Sequence, residues 1–171
     1  MEYYIRPVKQ GDAAGINALR RMPGVFENTM GLPSEREEHN AAQIAALDHA
    51  SQHAFVAAVR ADDGEERVIG HAMLTVYSNP RARHSGGIGI MVHRDYQGQG
   101  VGTRLLETLL DMADNWLMLV RVELGVYADN ERAIRLYKRL GFEREGIKRM
   151  AAIRSGRYED ELMMARIRQP G

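Results

Sequence analysis

The sequence predicts a single α/β (α+β) domain over residues 1–171, with strands and helices intermingled around one mixed sheet. Alternating or continuous apolar runs of strand length trade places along the chain with stretches whose apolar residues recur at spacings of three and four. A chain of 171 residues, 44% hydrophobic and 27% charged, can bury one core without disulfides or metals. No internal repeat, low-complexity tract or linker divides it.

The elements follow in order. Tyr3 to Val8 alternates as an edge strand does, and Asp12 precedes Ile16, Leu19 and Met22, an apolar set that fits a helix capped by that aspartate. Pro23 to Glu38 holds two prolines and two glycines, Gly24 and Gly31, and reads as an irregular connection of the kind that carries binding contacts. The alanines, Ile44 and Leu47 suit a second helix over His39 to Ser51. Ala54 to Arg60 and Val68 to Val76 form a hairpin about the turn Asp62-Asp63-Gly64. Arg81 to Gly87 is a basic loop, and the continuous apolar run Ile88 to Val92 has the pattern of a strand buried on both faces.

Val101, Leu105, Leu109 and Met112 give the helix Val101 to Trp116 one apolar face. Arg121 to Val126 is a further strand. Asp129 or Asn130 caps a helix carrying Ala133, Ile134, Tyr137 and Leu140, with Gly141 as its stop. A closing hairpin runs from Phe142 to Ile153, turns at Ser155-Gly156 and returns from Tyr158 to Ile167.

Composition excludes several classes. With 23 basic and 23 acidic residues there is no cationic surplus for nucleic acid. The absence of cysteine removes a disulfide framework, a thiolate metal site and a thioester on the enzyme. No window approaches the roughly 20 apolar residues of a membrane span, so the expectation is a soluble, cytoplasmic protein that binds no membrane. His49 and His53 stand four apart on the expected helix, but no third ligand completes a zinc set, and no metal is expected. A Gly-x-Ser-x-Gly elbow is missing, which argues against a serine hydrolase.

The sharpest signal is the run from Ile90 to Thr103: an apolar strand, a polar link, the alternate glycines Gly98, Gly100 and Gly102, and a helix start. Such a turn brings backbone close to a ligand and aims the unpaired amides of a first helical turn at an anion. A dinucleotide fingerprint would need glycine where Thr103 stands, and a Walker loop a lysine where Gly102 stands.

Gln97-x-x-Gly100-x-Gly102 after an apolar strand resembles the acetyl-CoA pyrophosphate motif of the GNAT superfamily of N-acetyltransferases. The stretch from Asp129 to Phe142, with its Asn, Tyr and Gly-Phe, resembles that family's second signature. Ile5-Arg6-Pro7 with Asp12 resembles its opening, and Gly156-x-Tyr158-x-Asp160 its closing hairpin. Around Asp114-Asn115-Trp116-Leu117 the chain is most similar to bacterial enzymes that acetylate free amino acids.

The resemblance implies a mostly antiparallel sheet with a splayed strand pair, flanked by about four helices. It also implies direct transfer from acetyl-CoA, as cosubstrate, to a small-molecule amine in a ternary complex. Ile90, Met91 and Val92 would pair with the pantetheine arm, and Gln97, Gly98, Gln99, Gly100, Val101, Gly102 and Thr103 would hold the pyrophosphate. Asn130 would bind the pantetheine, and Tyr137 would protonate or hold the leaving thiolate. Seven residues apart on a helix, these two are separated by about 10 Å along its axis. Arg132, with Arg135, Lys138 and Arg139, forms a basic helix face that is either solvated or set against the adenosine phosphate.

Many relatives carry an acidic base on the fourth strand, where this chain has Gly87; the remaining candidates are Glu123 and His84, acting through water. Phe26, Glu27, Asn28, Thr29, Arg81, Arg83 and Tyr158 are candidates for the acceptor pocket, an arginine there suiting a substrate carboxylate. Deprotonation at about pH 7 costs an α-amine about 1 kcal/mol and a lysine-like amine about 4.6 kcal/mol, which favours a free amino acid at a site without an evident carboxylate. Polyamines, antibiotic or herbicide amines, protein amino termini and a non-catalytic acetyl-CoA sensor are the alternatives. A homodimer is the assembly common among the look-alikes.

Overall fold

The computed structural model describes residues 2–169. In chain order it contains β1 (Tyr4–Pro7), α1 (Ala13–Arg20), α2 (Glu37–Ala45), β2 (Gln52–Arg60), β3 (Glu66–Val76), β4 (Ser85–Val92), α3 (Val101–Asp111), β5 (Arg121–Tyr127), α4 (Glu131–Arg139), β6 (Glu143–Arg154) and β7 (Arg157–Ile167). The strands form a seven-stranded sheet in the order β1-β2-β3-β4-β5-β7-β6. β1 pairs antiparallel with β2, β5 with β7 and β6 with β7, whereas β4 pairs parallel with β5. The expected mixed, mostly antiparallel sheet with four helices is therefore present. The chain divides into two compact units: residues up to Leu74 with Gly89–Leu109, and Thr75–Ile88 with the remainder from Leu110.

In the first unit Ile16 and Leu19 of α1 meet Val25, Val56 and Met91 in a buried cluster, with Val8, Met22, Ile44 and Val68 packed around it. Asp12 sits at the N-cap of α1, but its side chain does not cap the helix as the sequence suggested. Arg6 donates to both its oxygens at 2.8 Å, and the Lys9 amide donates at 2.8 Å. Burial pushes this carboxyl up, but the Arg6 and Lys9 bonds outweigh it and hold it low.

The second helix, expected to reach Ser51, ends at Ala45. Asp48 accepts bonds from the Ala50 amide and the Ser51 hydroxyl, closing a local turn that competes with further helix. His49 thus lies in a turn and His53 in β2, their rings 6.2 Å apart and edge-on rather than stacked along one helix face.

β4 also departs from expectation. It begins at Ser85, inside the segment read as a basic loop, and of Ile88 to Val92 only Met91 is buried. The parallel pairing with β5 spans Ser85–Gly87 alone, so the later residues lack that cover.

In the second unit Val122, Leu124 and Val126 of β5 and Leu162 and Met164 of β7 are buried, as the alternation of an antiparallel pair requires. Ile134 and Tyr137 form the buried stripe of α4. The predicted helix to Trp116 continues α3, but its last turn, Met112–Trp116, is a π-helix. This widened turn accompanies a bidentate pair in which Arg166 of β7 donates to the two oxygens of Asp114 at 2.9 and 2.8 Å. Among the described residues no helix is long and apolar enough to cross a membrane.

Candidate active site

The link after β4 in the first unit is built to present backbone N–H groups. Gly98 and Gly100 adopt φ of 72° and 86°, a region that costs other residues a Cβ clash. Gln97 Nε2 donates to Val92 O at 3.0 Å and Gln99 Nε2 to Asp95 O at 2.8 Å, so two side chains of the link brace it. The Gln97 amide itself is directed at Arg94 O (3.4 Å).

The first ladder bond of α3 runs from Arg104 N to Gly100 O at 3.0 Å. Val101, Gly102 and Thr103 therefore offer amides ahead of the ladder, at the positive end of a helix of 11 residues. That is the chemistry a diphosphate requires, and the residues fit it. Ile90 and Val92 are half-buried, and Met91 turns into the core.

In the second unit, α4 starts at Asn130, whose Oδ1 accepts from Ala133 N at 3.3 Å. Asn130, not Asp129, is thus the cap; Asp129 forms an ion pair with Arg154. Two turns on, Tyr137 is 6% exposed, its ring edge-on to Phe142 at 5.8 Å. Burial pushes its phenol up to about 12, which keeps the hydroxyl protonated and available as a donor through the neutral range. Its hydroxyl makes no hydrogen bond among the described residues, although partners elsewhere in this unit are plentiful.

Glu123 stands in register with Gly87 across the parallel β4–β5 pair. Tyr77 donates to Glu123 Oε1 at 2.5 Å, and Arg121 donates to Oε2 through Nε at 2.8 Å and Nη2 at 2.6 Å. Arg121 also donates to both oxygens of Glu145, at 2.9 and 2.5 Å. The Tyr77 bond, then Arg121, holds the Glu123 carboxyl below its ordinary range, while burial and this bond push the Tyr77 phenol up to about 12. Glu123 is therefore a fixed negative charge with both oxygens committed.

The other predicted site residues are less constrained. His84 is exposed at the start of β4, its carbonyl accepting from the Val120 and Arg121 amides. Arg81, Arg83, Arg132 and Tyr158 are exposed. Phe26, Glu27 and Asn28 form a single 3-10 turn in which Glu27 accepts from the Gly24 amide at 2.8 Å, and Thr29 Oγ1 donates to Phe26 O at 2.9 Å. The structure adds Tyr77, Arg121 and Glu145 to the acidic centre. Arg121 and Glu123 alternate on one face of β5, a signal present in the sequence; Tyr77 carried none, because it lies just past the end of β3.

The sequence profile of the Acetyltransferase (GNAT) family matches residues 20–142, and the chain belongs to that family of N-acetyltransferases. It is 34% identical over 167 residues to the L-amino acid N-acetyltransferase AaaT of Escherichia coli K12, covering 98% of this chain and 99% of that one. The fold matches the crystal structure of a GNAT-family acetyltransferase from Streptococcus pneumoniae with a TM-score of 0.78 and 26% identity, over 97% of this chain and 99% of that one. It also matches yncA, a putative acetyltransferase from Salmonella typhimurium solved with acetyl-CoA, with a TM-score of 0.80 and 21% identity, over 100% and 96% of the two chains.

Proposed function

We propose that this enzyme moves the acetyl group of acetyl-CoA directly to the α-amine of a free amino acid. The observation that carries the acceptor class is the 34% identity to an L-amino acid N-acetyltransferase along essentially both full lengths. The amide turn from Gly98 to Thr103 supports the donor class, because its free N–H groups and two left-handed glycines suit a diphosphate.

In this reading Tyr137 supplies the proton that the departing thiolate takes up. A neutral, buried phenol whose hydroxyl has no hydrogen-bond partner among the described residues is suited to that task. Asn130 and the strand Ile90 to Val92 hold the pantetheine arm, and Arg132 approaches the adenosine phosphate. Arg81 or Arg83 would meet the carboxylate of the amino acid, and Phe26 to Thr29 and Tyr158 would shape its pocket. Glu123, locked by Arg121 and Tyr77, supplies a standing negative potential for the ammonium. The enzyme would work in the cytoplasm as a homodimer.

Thiol release from acetyl-CoA across a panel of amines tests this. Free amino acids should be turned over at least about tenfold faster, by kcat/KM, than spermidine or a lysine side chain. A preference for polyamines would overturn the acceptor class, and binding of acetyl-CoA without thiol release for any amine would identify a sensor.

A further inference from the structure

One carboxylate of the second unit is neither paired nor turned out to solvent. Glu161 of β7 is half-buried. It stands opposite Tyr127 in the β5–β7 register and opposite Lys148 in the β6–β7 register. Among the described residues it makes no hydrogen bond or ion pair, not even with Lys148. Of the other acids on these strands, Glu123 and Glu145 share Arg121, and Glu159 pairs with Arg154, which also joins Asp129 and lies 4.6 Å over the Tyr127 ring; Asp160 accepts from the Met150 amide, and Glu143 is exposed. A half-buried charge without a partner has lost water and gained nothing in return, which is the condition of a group that awaits a ligand.

Its position is specific. The side chain bends across β5 and lies over Gly125, where an added Cβ would sit 2.6 Å from Glu161 Cδ and 3.2 Å from Cγ. The carboxylate therefore fills the volume that a side chain at position 125 would take. Gly125 follows Glu123 by two residues, on the same face of β5. Glu161 is thus the unpaired charge beside a centre whose own glutamate already has both oxygens bound by Tyr77 and Arg121.

We propose that Glu161 receives the ammonium of the acceptor and takes the proton which that amine must shed. The inference rests on the acetyl-transfer reading above. The ammonium gives one proton to the Glu161 carboxylate, leaving a lone pair on nitrogen. The N–C bond to the acetyl carbon then forms and the C–S bond of the thioester breaks. The thiolate gains a proton from Tyr137, which is restored by the second proton of the new amide nitrogen. Glu161 returns its proton to solvent, so one thiol, one amide and one proton leave.

Steady-state kinetics with the preferred amine, from about pH 7 to about pH 9.5, test this in four proteins: wild type, Glu161→Gln, Glu161→Asp and Gly125→Ala. Glu161→Gln should lose about 100-fold in kcat/KM at about pH 7, with acetyl-CoA affinity within about twofold of wild type. The deficit should shrink at least about tenfold by about pH 9.5, where an α-amine is already uncharged in solution. Glu161→Asp should recover part of the loss. Gly125→Ala, whose methyl displaces the carboxylate while keeping it in the chain, should fall in the same direction. If wild type turns over and Glu161→Gln stays within about twofold of it, or keeps the same deficit at every pH, the role of Glu161 is overturned. If wild type itself releases no thiol with any amine, the acetyl-transfer reading falls, and this inference with it.

Discussion

The Tyr77 hydroxyl reaches Glu123 Oε1 at 2.5 Å across a position left open by Gly87, where an added Cβ would sit 3.1 Å from the hydroxyl. An absent side chain on β4 thus lets a tyrosine clamp the glutamate next door in register. Replacing Tyr77 by Phe removes the principal group that holds the Glu123 carboxyl low, so its pKa should rise.

The sign for stability follows. A carboxyl depressed in the folded state contributes stability above its unfolded pKa and loses it as pH falls through the folded one. Tyr77→Phe should therefore cost about 1.5 kcal/mol near neutrality and less in acid, the range for a bond to a charged group. Urea unfolding at the two pH values, with a carboxyl NMR titration of Glu123, checks both halves.

Tyr137 leads to a kinetic prediction. Its ring is packed against Phe142 while its hydroxyl lacks a partner, so Tyr137→Phe removes an atom the fold does not use. We expect kcat to fall by about 100-fold with acetyl-CoA affinity and thermal midpoint almost unchanged. Because burial pushes the phenol up to about 12, its ionisation should cause no decline of the wild-type rate through the neutral range and up to about pH 10. A variant as fast as wild type would remove Tyr137 from the proton path.

The sequence made most of this architecture legible, for identifiable reasons. The anion turn was visible because two of its glycines, Gly98 and Gly100, stand where φ is positive, a need that leaves its mark in the sequence. The closing hairpin was visible because Ser155-Gly156 fixes its turn. Helix length was harder: Asp48 ends α2 early through side-chain bonds that an alanine-rich pattern does not announce. The burial of β4 was overestimated, because apolar runs do not report where a neighbouring strand stops pairing. At the site, Glu123 and its neighbour Arg121 on the same face of β5 were within reach of sequence, but Tyr77 and Glu161 required the fold: strand pairing is what shows that a β7 carboxylate lies over a β5 glycine.

His71 sets a different acid limit. It is half-buried on β3, and burial, helped by Arg20 and opposed by Asp12, pushes the imidazole down to about 4. The unfolded chain binds a proton there near pH ~6.5 and the folded one does not, so stability should drop as pH falls from ~6.5 toward ~4. His71→Asn, which keeps polarity without a titrating ring, should flatten that part of the curve. Chemical denaturation from about pH 7.5 to about pH 4.5 makes the comparison. Parallel curves for the two proteins would mean that the imidazole is charged in the fold.

The donor site can be tested at Gly100, whose φ of 86° suits glycine and, among other residues, asparagine best. An added Cβ meets nothing nearer than the Tyr3 hydroxyl at 3.9 Å, so bulk alone is tolerated. The cost of substitution is then conformational: Gly100→Ala should lose about 1 kcal/mol of stability and, as the turn relaxes to negative φ, swing the amides of Val101 and Gly102 away from the diphosphate. Gly100→Asn, though larger, should retain more acetyl-CoA binding than Gly100→Ala. Calorimetric titration of both variants decides the matter, because a site limited by crowding would rank them the other way.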